Sequence, residues 1–74
     1  MAAHPGFFLK LYMGYAGFSP EYIASQSGIS TDDLRGICNE NVSVSDAIAT
    51  GLEQVFPRSK SYWLGLQSAF DAEQ

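Results

Sequence analysis

SPEYIASQSGISTDDLRGICNE, residues Ser19 to Glu40, reads as two short helices joined by a tight turn. Ser19 is an N-cap residue, and Pro20 occupies the first helical position, where a missing N–H costs nothing. Ile23 and Ala24 then face inward. Gly28 stands where the first helix must stop and the backbone turns to positive φ, and Ile29 plugs the turn with an apolar side chain. Ser30 starts the second helix through Ser30-Thr31-Asp32-Asp33, a capping-box variant with Asp33 where Glu or Gln is usual. Leu34, Ile37 and Cys38 follow at helical spacing. The pattern is that of a helix-turn-helix, with a small residue early in the first helix, glycine in the turn and long or branched apolar residues in the second helix.

Upstream, residues 5 to 16 predict a helix carrying Phe7, Phe8, Leu9, Leu11, Tyr12, Met13 and Tyr15, with Lys10 its only charge. A surface helix shows one apolar stripe and one wet face, whereas this one is apolar almost all round, which implies burial on more than one side. The run is too short to span a bilayer, and it lacks the Lys/Arg-rich polar face of a membrane-surface helix. Downstream, Ser45 caps a helix from Asp46 to about Phe56 with Ile48, Ala49, Leu52, Val55 and Phe56 as its buried stripe, ended by Pro57. Gly51 inside it costs ~1 kcal/mol relative to Ala and points to a closely packed neighbour. A last helix begins after Ser59 or Ser61 and runs to about Asp71, with Tyr62, Leu66 and Phe70 on one face and Trp63 and Leu64 to either side. The expectation is an all-α, compact five-helix domain spanning residues 1–74.

Seventy-four residues sit near the lower limit for a self-sufficient apolar core, so burial against a second subunit is expected to help. Four basic side chains face eight acidic ones, for a formal net charge of −4. That balance repels a phosphate backbone unless the basic groups cluster, and it suits a cationic protein partner. Lys10, Arg35, Arg58 and Lys60 are dispersed along the chain. One cysteine forms no internal disulfide and no apolar leader precedes the helices, which points to the cytoplasm. Cys38 falls on the apolar spacing of its helix and reads as a small buried hydrophobe. His4 has no second His and reads as a helix-start residue rather than a metal ligand or base. No carboxylate or nucleophile arrangement suggests an enzyme, and no cofactor is implied.

His4-Pro5-Gly6 opening a helix, the helix-turn-helix, Ser43-Val44-Ser45 before another helix, and Tyr62-Trp63-Leu64-Gly65-Leu66-Gln67 near the end together resemble the Xre-type domain of HigA-like antitoxins. The likeness covers roughly His4 to Ala72. It implies a five-helix fold, a homodimer, operator DNA and a toxin partner. The chain departs from that pattern where DNA would be touched. A DNA reader presents the first turn and outer face of its second motif helix to the major groove. Here Thr31, Asp32, Asp33, Arg35 and Gly36 hold those positions, followed by Asn39. The two carboxylates stabilise the helix start by ~0.3–1 kcal/mol each, and they face phosphates with the wrong sign. Pro20 replaces a polar donor common in the family, and Glu40-Asn41-Val42 replaces a loop that usually carries Gly and a basic pair. Phe7, Leu11 and Tyr12 occupy positions that are commonly charged there.

Two functional readings follow. In the first, the scaffold acts through protein–protein contacts with DNA reading lost, as an inhibitor from a phage or mobile element, including an anti-defence protein, or as a toxin-neutralising antitoxin. Its partner or dimer surface comprises Phe7, Leu11, Tyr12, Tyr62 and Trp63, although core packing is the commoner fate of a tryptophan, and the outer face of the second motif helix is available to a partner or to DNA. In the second, the chain is a dimeric Xre/HigA-like DNA-binding transcriptional regulator, as base rates for the motif suggest. Charge favours the first.

Overall fold

The computed structural model describes all residues 1–74. Five helices follow in order: α1 (Pro5–Ala16), α2 (Pro20–Ser27), α3 (Thr31–Cys38), α4 (Asp46–Val55) and α5 (Lys60–Asp71). Each begins at a side-chain cap that occupies an otherwise unpaired backbone N–H. Ser19, Ser30, Ser45 and Ser59 hydroxyls accept from Tyr22, Asp33, Ile48 and Tyr62. At α1 the cap is His4, whose Nδ1 accepts from the Gly6 N–H at 2.9 Å while its ring meets Phe70 edge-on. The expected helix-start role of His4 is therefore what the structure shows. The box at Ser30 is half of the motif: Ser30 caps Asp33, and Asp33 makes no return bond.

Gly28 closes α2 at a φ of 78°, as the turn requires, and Gly17 closes α1 in the same way at 72°. Helix α4 stops one residue earlier than expected, because the residue before a proline is driven to extended backbone; Phe56 has φ −113° and ψ 152°. Its ring still enters the core.

α1 packs on α3 and α5, α2 on α3 and α4, and α4 on α5. Leu9, Ile23, Leu34, Ile37, Leu52 and Trp63 have no exposed surface and form the centre of one apolar cluster. Each such side chain contributes roughly 1.5–3 kcal/mol on burial. Two close approaches hold the cluster together. A Cβ on Gly6 would lie 1.8 Å from the Ile37 carbonyl oxygen, so only glycine lets α1 seat against the end of α3. A Cβ on Gly51 would press on Ile29 and on the Ser27 carbonyl, which confirms the close neighbour expected at that position.

Helix α5 faces the core differently from the expectation. Its buried line is Trp63 and Gln67, flanked by the half-buried Tyr62, Leu66 and Phe70. Gln67 is inside because its side-chain oxygen accepts the Val44 N–H at 2.8 Å, while its amide donates to Asp71 at 2.8 Å. A polar residue that satisfies a buried backbone donor is compatible with a core, but it interrupts the apolar period by which a face is recognised. Cys38 is half-buried rather than enclosed, with its thiol 3.8 Å from the Met13 sulfur. Burial pushes that thiol up from its ordinary pKa, with Lys10 acting in the opposite direction.

Candidate functional site

The outer face of α3 is exposed along Asp32, Asp33, Arg35 and Asn39, with Thr31 half-buried at its start. Gly36, expected on that face, turns against Val42, whose side chain a Cβ there would overlap; the residue serves the loop and not a ligand. Arg35, the one base on α3, donates to the Glu21 carboxylate of α2 at 2.6 Å. Both partners are more than half exposed, so the pair adds little stability, but it sets a carboxylate beside the only guanidinium of the motif. After α3 the chain turns at Glu40 with φ 63°, the only non-glycine residue at positive φ. The result is a run of exposed acids, Glu21, Asp32, Asp33 and Glu40, on and around the motif. Beside it, Asp33 joins Ser27 to Ser30, Ala47 and Ile48 around a shallow groove of about 310 Å³.

The other bases lie apart. Lys60 pairs with Asp46 at 2.8 Å at the start of α4. Arg58 donates from Nε to the Tyr12 hydroxyl at 2.8 Å and lies over the Tyr62 ring, 5.1 Å from its centroid. The Tyr12 and Tyr62 hydroxyls are 3.3 Å apart. The Tyr62 hydrogen bond, followed by Arg58, lowers the Tyr12 phenol from its ordinary pKa, whereas burial, followed by Tyr12, raises that of Tyr62. Lys10 is exposed on α1.

The second candidate surface divides. Phe7 and Leu11 are exposed, at 47% and 41%, on the outer face of α1. Tyr12 and Tyr62 are half-buried, bonded to one another and packed on the core. Trp63 is withdrawn from the surface altogether, with 0% exposure among Tyr12, Phe56 and Tyr62. The physical reason is size: it is the largest fully buried side chain, and this small core closes around it. Its indole N–H has no hydrogen-bond partner. Tyr15, at 86%, extends the α1 stripe beyond the expected surface; its place four residues after Leu11 is the sequence signal for it. No group of three or more His, Cys, Asp or Glu side chains is placed to hold a metal ion, and no helix is long and apolar enough to cross a membrane.

Five capped helices with a glycine-turned α2–α3 pair define a repressor-like helix-turn-helix protein. No family model and no curated sequence matches the chain. Among solved structures it is similar to antitoxin GraA, at 32% identity and a TM-score of 0.91, over 99% of this chain and 81% of that one. It is also similar to an addiction module antidote protein of the HigA family from Coxiella burnetii, at 30% identity and a TM-score of 0.89, over 97% and 80% of the two chains. The chain belongs to the Xre-type family of HigA-like antitoxins. One solved relative is an antitoxin and the other an addiction module antidote.

Proposed function

We propose that the chain is an antidote of the toxin–antitoxin kind that works through protein–protein contact, covering a cationic protein partner, with operator reading lost. The observation that supports this is the state of the α3 outer face: Asp32 and Asp33 are exposed, and Arg35 is tied to Glu21. A protein that binds duplex DNA through this face needs positive charge against phosphates, and each missing contact removes affinity and salt dependence. The same carboxylates attract a basic protein surface and favour its approach. The two solved antitoxins support the class of activity, and the charge of this chain supports the mode.

The test is a labelled-duplex titration with upstream DNA at low salt, run beside binding to the product of the adjacent gene. The expected results are no DNA complex, and a protein complex that weakens as salt rises. Sub-micromolar duplex binding that disappears in Arg35→Ala would overturn the proposal and make the chain a DNA-binding regulator of the Xre/HigA-like type.

A further inference from the structure

We propose that the groove between the α2–α3 turn and the start of α4 is a socket for one arginine side chain of a basic protein partner, with Asp33 as the carboxylate that receives the guanidinium. This rests on the reading of the chain as covering a cationic protein. The groove, of about 310 Å³, is walled by Ile29, Ala47 and Ile48, with Asp33 on α3 and the end of α2, at Ser27 and Gly28, beside them. Small-molecule pockets run from about 300 to 1,000 Å³. A shallow groove at the bottom of that range holds a single side chain.

Charge selects the occupant. Asp33 stands where a capping-box Glu or Gln reaches back to the cap N–H, yet its shorter side chain makes no such bond and pairs with no base. The basic side chains are engaged or placed elsewhere: Arg35 on Glu21, Lys60 on Asp46, Arg58 on Tyr12, and Lys10 on α1. A second source of negative potential is the end of α2, where the carbonyls of Ser25, Gln26 and Ser27 accept no backbone N–H and no base stands in the last turn. An anion meets the wrong sign from both, and an apolar group leaves the carboxylate without a partner. Among cations the guanidinium fits best. It is planar and weakly hydrated, so it lies against the isoleucine wall while donating to more than one acceptor, whereas the compact ammonium of lysine holds its water.

Titration of the full chain with N-acetyl-arginine amide, followed by backbone amide chemical shifts, tests the socket. The expected result is saturable binding, on the order of millimolar, that moves the resonances of Gly28, Ile29 and Ile48. The lysine amide binds more weakly, and the citrulline amide, which has the same shape without the charge, does not bind. Asp33→Asn weakens the arginine amide on the order of fivefold, as does Ala47→Leu, which fills the groove and leaves the charge alone. Asp32→Asn, which removes the same charge from the same helix start outside the groove, leaves binding unchanged and serves as the folding control. The product of the adjacent gene is then bound less tightly by the first two variants than by the third. Equal binding of the arginine and citrulline amides, or no saturable shift at Gly28 and Ile48, would overturn the socket. A gene product bound equally by all three variants would also overturn it and leave the protein-contact reading standing. The expected amide binding in a chain that engages duplex DNA instead of the gene product would sustain the socket as an arginine site while that reading fell.

Discussion

The outer faces of α1 and α3 belong to helices packed on one another, most tightly where Gly6 meets the Ile37 carbonyl, yet they are chemically opposite. α1 presents Phe7, Leu11 and Tyr15 with no carboxylate; α3 and its flanks present Glu21, Asp32, Asp33 and Glu40 with one neutralised base. An apolar face is indifferent to the sign of its partner and is governed by shape. An acidic face is selective for sign before shape matters. A chain of this size therefore has room for two unlike contacts, provided the helices that carry them stay rigidly joined.

The junction itself gives the largest expected effect. Gly6→Ala places a carbon inside the contact radius of a backbone oxygen that has no rotamer to escape into, and is expected to destabilise the fold by about 3 kcal/mol or more, read as a lowered urea midpoint. Unchanged stability would mean that α1 and α3 are not held together in this way. Next comes the sign of the α3 face. Asp32→Lys combined with Asp33→Lys changes the local charge by four and is expected to bring nonspecific duplex binding at low salt up by on the order of a hundredfold, with loss of affinity for a basic partner. If duplex affinity stays absent, the scaffold has lost more than its charge.

Smaller still is the strain in the following turn. Glu40→Gly relieves a left-handed backbone and is expected to stabilise the fold by roughly 0.5–1 kcal/mol in the same urea titration, the gain being reduced by the greater freedom of glycine in the unfolded chain. The smallest effect lies at Cys38, half-buried on α3 with its thiol beside Met13 of α1. Burial raises its thiol from the ordinary pKa, with Lys10 acting against it, so alkylation at neutral pH is expected to be several-fold slower than in the urea-unfolded chain. Equal rates would show that α1 and α3 part readily.

Helix starts and stops were readable because they depend on neighbours in sequence: a serine before each of α2 to α5, glycine after α1 and α2, and proline after α4. The α4 end differs from its apolar period at Phe56, because Pro57 forces the residue before it into extended backbone. Faces were less legible. Tyr62 and Trp63 are adjacent on α5, and their order relative to the core is set by Gln67, whose burial answers a need of Val44 far along the chain. For the same reason the ring of contacts among Arg58, Tyr12 and Tyr62 had no local signature. Helical spacing puts Gly36 on the ligand-facing side, and only the path of the Val42 loop covers it. The charge of α3 was visible in its letters; that Glu21 would take up Arg35 required the folded geometry.

Trp63 is the only indole in the chain, sealed from water, with its N–H unpaired and the rings of Tyr12 and Tyr62 at 5.7 Å and 5.4 Å. Such a fluorophore emits toward the blue and collects excitation from its phenol neighbours, and it shifts to the red only when the interior opens. Ligands arriving at either outer face leave its colour alone, so the molecule carries a built-in optical gauge that distinguishes docking from unfolding without any attached dye.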